Sequence, residues 1–156
     1  MTTATVSPVE SPERRSAGRE AIGRLLLERR EMLVLFCRVA GLDPFPHNTQ
    51  VQKVLQEFCQ VLVDYVAAAH FSLYERIVNG TERRAAVVAL AHDLYPEIEV
   101  CTETAIVFND KYDCADQCQD ISHLHTDLSE LGEALATRVE LEDRLMAALM
   151  GGRKAS

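Results

Sequence analysis

The chain has 156 residues, of which 47% are hydrophobic, and a formal net charge of −8 at pH 7. This length is typical of one domain whose core is large enough to fold without disulfides or metals. The negative charge argues against direct binding to nucleic acid or to an anionic membrane surface. It favours a basic protein partner, although solubility alone explains the same charge. Four of the five prolines precede residue 50, so the remaining chain has few helix breakers and is predicted to be all-α.

The sequence divides into a polar tail, one domain and a second short tail. Residues 1–16 are rich in Thr, Ser, Pro and charge, and we expect them to be disordered. Residues 17–150 are predicted to form the domain, and residues 151–156 a flexible tail. No apolar run reaches the roughly 18–20 residues of a membrane span, and the N-terminus lacks the apolar segment of a signal peptide. We therefore expect a cytoplasmic protein.

Apolar periodicity and helix breakers predict a mainly antiparallel bundle of four or five helices with a long C-terminal helix. The predicted helices span about Ala17–Ala40, Thr49–Val78, Thr81–Tyr95, Glu97–Asn109 and Ala115–Met150. Pro96 is expected to separate the third helix from the fourth. Residues 110–117 are expected to form a polar loop before the last helix.

The second predicted helix is apolar on two sides. Its core stripe, at steps of three and four, consists of Phe58, Leu62, Tyr65, Ala69, Leu73 and Ile77. Its far side consists of Val63, Asp64, Ala67, Phe71, Tyr74 and Glu75. A helix of this kind is either central in its bundle or keeps one side for a partner. The pattern alone leaves both readings open.

Asp64 and Phe71 are the candidate binding residues of this far side. They lie seven residues apart and are therefore stacked along one side of the helix. A lone carboxylate among Val63, Ala67 and Phe71 is well placed to receive an arginine from a partner through a bidentate, charge-assisted bond. Phe71 is the candidate apolar anchor. The alternative for Asp64 is an ordinary solvated surface residue.

The last predicted helix carries two charges on its inward line. Ile121 and four leucines recur at steps of three and four from residue 121 to residue 135. At the same spacing, the next positions on this side of the helix are Arg138 and Glu142. These side chains are spaced to pair with each other, and they can also meet a polar group such as His70. A small rotation of the helix, which would bring Val139 and Met146 into the core, is the alternative.

The motifs for catalysis and metal binding are weak. In a hemerythrin-like His-x-x-x-Glu pattern starting at His70 the carboxylate position is Tyr74, and Glu75 falls one residue late, about 100° away on a helix. Cys114 and Cys118 could hold zinc only with two further ligands at matching spacing. We expect no metal, no cofactor and no enzyme activity, and we expect the five cysteines to be reduced thiols.

Three segments resemble the Rsd/AlgQ family of bacterial anti-sigma factors. They are FCQVLVDYVAAAHFSLYE from Phe58, LSELGEALATRVELEDRLM from Leu128 and the weaker LYPEIEVCTETAIVFND from Leu94. The resemblance extends from about Ile22 to about Leu149. In the first helix the family usually has a D-R-W-L pattern, where this chain has GRLL at residues 23–26.

The resemblance implies an all-α bundle that binds the primary sigma factor of bacterial RNA polymerase. It implies sequestration through sigma region 4, a helix-turn-helix module, which would block recognition of the −35 promoter element and association with core polymerase. The sequence leaves two alternatives open. One is a hemerythrin-like metal-binding bundle, and the other is an acidic adaptor that regulates another enzyme by contact. Further protein partners also stay open.

Overall fold

The computed structural model describes residues 12–41, 49–78, 82–113 and 121–151, and all regular structure in these ranges is helical. The helices are α1 (Pro12–Ala40), α2 (Thr49–Ala69), α3 (Glu75–Val78), α4 (Ala85–Tyr112) and α5 (Leu124–Gly151). A π-helical turn, His70–Tyr74, joins α2 to α3 without a break. The structure confirms the predicted all-α class and the long C-terminal helix.

Neighbouring helices run antiparallel, as the short connections between them favour. α1 packs mainly on α2, α4 mainly on α5, and α2 joins the two pairs through α4. The contacts that fix direction are Phe36 with Phe58, Gly18 with Arg76, Thr102 with Arg138, and Lys111 with Asp127. In each pair the residue number rises along one helix while it falls along the other, which defines the up-and-down arrangement.

The predicted core stripe of the second helix is confirmed. All six of its residues, Phe58, Leu62, Tyr65, Ala69, Leu73 and Ile77, are buried. Phe58 forms edge-to-face contacts with Phe36 of α1 and Phe108 of α4, at centroid distances of 6.0 and 5.8 Å. One aromatic ring therefore connects three helices at this level of the core.

Close packing of α1 on α5 depends on a glycine. A Cβ atom at Gly132 would lie 3.0 Å from the ring of Phe36. The absence of a side chain at this position lets the aromatic ring lie against the α5 backbone, as small residues do at close helix crossings.

The π-helical turn changes which residues face the core. The N–H of Glu75 donates to the carbonyl of His70, five residues back, so this turn holds one residue more than an α-helical turn. As a result Leu73 and Tyr74 are both buried. The prediction that Tyr74 lies on the far side is wrong. Its ring stacks on Tyr95 at 4.5 Å and its hydroxyl donates to the carbonyl of Ala91 at 2.9 Å.

Three predicted helix boundaries need correction. α1 begins at Pro12, so residues 12–16 of the expected disordered tail are helical, which suits a proline in the first helical turn. α4 continues through Pro96, which lies on its exposed side while Leu94 and Ile98 on either side of it are buried. α5 begins at Leu124, about nine residues after the predicted start at Ala115. The remaining tails and residues 114–120 lie outside the described ranges.

The inward charges of α5 form a buried network that reaches all four long helices. Nε of Arg138 donates to Glu142 at 2.7 Å, and both side chains are almost fully buried. Arg138 also donates to the hydroxyl of Thr102 in α4, and Glu142 accepts from Tyr65 in α2 and from Arg29 in α1. The predicted pairing of the two charges is therefore confirmed. Their bonded partner in α2 is Tyr65, not His70.

Candidate functional site

An apolar groove of about 250 Å³ lies between α2 and α4. On the α2 side the lining extends to the π-helical turn. On the α4 side it consists of Thr102, Ala105 and Ile106. The lining residues are Leu62, Val63, Val66, Ala67, His70, Phe71, Thr102, Ala105 and Ile106. Three large apolar side chains at its edge, Val63, Phe71 and Ile106, are 44%, 61% and 50% exposed. We call these nine residues the α2–α4 groove.

Phe71 is the most exposed of these three apolar side chains, and it lies at the start of the π-helical turn. The residues before it form a regular helix whose buried stripe places Val63 and Ala67 beside the groove. His70 lies against Phe71 at a centroid distance of 5.1 Å and an interplanar angle of 84°. This edge-to-face contact orients the Phe71 ring while leaving most of its surface open.

The other predicted site residues differ in solvent exposure and in their position relative to the groove. Asp64 is exposed, and Ala67 and Glu75 are half-buried. Tyr74 is buried among core residues and does not line the groove. The structure thus brings Val63, Ala67 and Phe71 together in one groove. Asp64 follows Val63 on the α1 side of that surface.

Glu28 of α1 is a candidate site residue that the sequence did not indicate. Burial raises its pKa, and the nearby charges of Asp64 and Glu31 raise it further, while Arg24 acts in the opposite direction. The buried Oε1 atom of Glu28 has no hydrogen-bond partner. The exposed carboxylate of Asp64, which lies near a second carboxylate, is well suited to accept a guanidinium. The local sequence of α1 gave no signal for this, because the proximity to Asp64 is tertiary.

The described residues offer little support for metal chemistry. Within residues 12–41, 49–78, 82–113 and 121–151, no group of three or more His, Cys, Asp or Glu side chains could hold a metal ion. Cys59 and Cys101 are buried free thiols and Cys37 is an exposed one. Cys114 and Cys118, considered as zinc ligands from the sequence and not favoured, lie outside these ranges.

None of the described helices combines the length with the apolar character that a membrane crossing requires. The described residues form a helical bundle with an open apolar groove and the exposed carboxylate of Asp64 near it.

Comparison with known proteins defines the family. Residues 7–150 match the family model described as "Regulator of RNA polymerase sigma(70) subunit, Rsd/AlgQ". The chain therefore belongs to the Rsd/AlgQ family of transcription regulators, which is not a family of enzymes. This confirms the resemblance found in the three sequence segments.

Curated relatives are similar in sequence over most of the chain. A protein named "Regulator of sigma D" from Yersinia enterocolitica is 36% identical over 146 residues, which cover 88% of this chain and 86% of the relative. The protein of that name from Yersinia pseudotuberculosis is 35% identical, with 88% and 85% coverage. The one from Enterobacter sp. strain 638 is 36% identical over 149 residues, with 92% and 89% coverage. No solved structure gives a significant match to this chain.

Proposed function

We propose that this protein binds the primary sigma factor of bacterial RNA polymerase in the cytoplasm and sequesters it. In this proposal the α2–α4 groove and Asp64 hold sigma region 4, so that the factor can neither read the −35 promoter element nor join core polymerase. The mechanism is occlusion, without covalent chemistry. The observation that carries the proposal is the exposed Phe71 ring at the edge of an apolar groove, with Asp64 beside it.

The groove supports a helical partner with an apolar anchor. Exposed aromatic and aliphatic residues around a concavity are typical of the centre of a protein interface. Val63 and Phe71 are separated by about two helical turns, so both can contact the apolar face of one partner helix. An aliphatic side chain of the partner would enter between Ala67 and Ile106, where the groove is lined almost entirely by apolar atoms.

Glu28 and Asp64 support recognition of an arginine next to that anchor. In the free protein the two carboxylates repel each other, which is one cause of the raised pKa of Glu28. A partner guanidinium bound to the exposed carboxylate of Asp64 would offset this repulsion. A DNA-reading module is rich in Lys and Arg, so an acidic protein can cover its basic face.

The test is a titration of purified primary sigma factor against wild type and two variants, Asp64→Ala and Phe71→Ala. Each truncation removes a central contact, and we expect each to weaken binding by about 2 kcal/mol or more. The matched controls are Asp93→Ala on the exposed side of α4 and Val34→Ala on the exposed side of α1. Both should bind sigma as the wild type does.

The same titration with isolated region 4 tests the finer assignment. If region 4 competes with the full sigma factor and Asp64→Ala weakens both, the proposed mode of binding holds. Equal affinities of wild type and Asp64→Ala would show that this face is not the sigma surface.

A further inference from the structure

We propose that a second groove, between α4 and α5, binds a second, basic amphipathic helix of the partner that occupies the α2–α4 groove. This inference rests on the proposed function and extends it across α4. The second groove is larger, about 370 Å³, and its lining includes Val100, Val107 and Phe108 of α4. We call it the α4–α5 groove.

The α4 side of the α4–α5 groove carries two exposed valines. Val100 and Val107 are 64% and 60% exposed, although both are large hydrophobic residues on a helix with a well-buried opposite side. They are seven residues apart, which places them two turns apart on one side of α4. This spacing matches the period of apolar side chains on one face of an amphipathic helix.

The rim of the same groove is acidic. Glu103 lies between the two valines, and Glu130 faces them from α5. Asp127 is also at the rim, where it accepts from Lys111 at 2.8 Å and is thereby neutralised. Among the described residues neither Glu103 nor Glu130 forms an ion pair. Two unpaired carboxylates beside two exposed valines complement a helix with Leu-type residues on one face and Lys or Arg beside them.

The two grooves lie on the two sides of α4. Ala105 and Ile106 of α4 line the α2–α4 groove, and Val100 and Val107 of the same helix line the α4–α5 groove. One helix separates them, so helices seated in the two grooves would lie roughly 10 Å apart, which is the spacing of two packed helices. A partner made of two packed helices can therefore straddle α4 and cover Val100, Ile106 and Val107 together.

The test uses the sigma titration with the double variant Val100→Ser/Val107→Ser. Both side chains are exposed, so the variant should fold and melt as the wild type does, while sigma affinity should fall about tenfold or more. The matched control is Leu27→Ser/Val34→Ser, which removes two exposed apolar residues of α1 outside both grooves. This control should bind sigma with wild-type affinity.

Two further measurements locate the contact and its charge. A photo-cross-linking residue introduced at Val107 should capture sigma, and the same residue at Val34 should not. The variant Glu103→Lys/Glu130→Lys should weaken binding more than Glu133→Lys, on the outer side of α5, and the difference should shrink at high salt.

The outcomes separate the two proposals. Loss of affinity in Val100→Ser/Val107→Ser together with cross-linking at Val107 supports the second groove. Wild-type affinity of this double variant, alongside weak binding by Asp64→Ala, overturns the second groove and leaves the proposed function standing. If the wild-type protein does not bind sigma at all, both proposals are overturned.

Discussion

The hydroxyl of Tyr65 in α2 donates a hydrogen bond to a carboxylate oxygen of Glu142 in α5, with 2.5 Å between the two oxygen atoms. Burial raises the pKa of Tyr65, and the adjacent charge on Glu142 raises it further, so the hydroxyl keeps its proton and remains a donor. The same carboxylate accepts from Arg138 at 2.7 Å. Glu142 is thus the acceptor on which the buried network depends.

Removing the Glu142 carboxylate should destabilise the protein strongly. Glu142→Ala leaves Arg138 buried without its counter-charge and Tyr65 without its acceptor, and we expect a loss of about 3–5 kcal/mol in the free energy of unfolding. Urea unfolding followed by circular dichroism measures this loss. As a control, Arg138→Met/Glu142→Leu replaces both charges with apolar side chains and should lose clearly less. A single variant as stable as the wild type would contradict a structural role for the pair.

Leu62→Ala and Phe71→Ala should differ in their effect on stability. Leu62 is fully buried, and Leu62→Ala should cost about 2–5 kcal/mol of stability because it leaves a cavity in the core. Phe71 is mostly exposed, so Phe71→Ala should change the melting temperature little while it weakens sigma binding. Thermal unfolding of both variants, measured beside the sigma titration, checks this contrast. A large stability loss in Phe71→Ala would place its ring in the core.

Glu28 should give stability a measurable pH dependence. Its pKa is raised above the ordinary 4.5, so between the unfolded and the folded pKa the folded state binds more protons. The contribution of Glu28 to the free energy of unfolding therefore falls as the pH rises from the unfolded to the folded pKa. At higher pH this contribution stays at its lower value. Urea midpoints measured from about pH 4 to about pH 7 should show this decrease in stability for the wild type. The decrease should be absent in Glu28→Gln.

The control for this measurement is Val34→Ala on the exposed side of α1, which removes no titratable group and should keep the wild-type pH profile. If a sigma arginine pairs with Glu28 and Asp64, the complex also lowers the pKa of Glu28. Sigma binding near the pKa of Glu28 should then release a proton, and calorimetry in two buffers of different ionisation enthalpy detects that release. An identical pH profile in wild type and Glu28→Gln would show that this carboxyl is not perturbed.

The thiols should differ sharply in reactivity. Cys37 is exposed, whereas burial, with a smaller contribution from Asp113, raises the pKa of Cys59 to about 12. Burial also raises the pKa of Cys101. Because the thiolate is the reactive form, iodoacetamide should label Cys37 in the native protein and leave Cys59 and Cys101 unlabelled until denaturant is added. Mass-spectrometric mapping checks this, and rapid native labelling of Cys59 would contradict the packed core.

Much of the fold was predictable because its signals are local. The core stripe of α2 and the inward line of α5 follow from a period of 3.6 residues, and both are buried as predicted. Gly41 follows the last residue of α1, where its N–H donates to the carbonyl of Cys37. The continuity of α4 was not predictable from Pro96 alone. Packing of α4 against α2 and α5 outweighs the missing N–H of one proline.

The candidate site was predictable in part, and its errors have identifiable causes. Val63, Asp64 and Phe71 precede or begin the π-helical turn, where α-helical periodicity still holds, and they are exposed. Tyr74 follows the extra residue of that turn, so the same periodicity assigned it to the wrong side. Glu28 was missed because its unsatisfied oxygen depends on packing between α1 and α2. No local sequence pattern contains that information.

The network at Glu142 also has a consequence for how the molecule unfolds. α1 packs chiefly on α2, and α4 chiefly on α5, so the bundle consists of two helical hairpins with a smaller contact between them. Two such hairpins would tend to open separately. Arg29 and Tyr65 from the first hairpin and Thr102 and Arg138 from the second share one buried hydrogen-bonded cluster, which neither hairpin can complete alone. Amide hydrogens in α2 and α5 should therefore exchange with the same free energy of opening, as in a single cooperative unit.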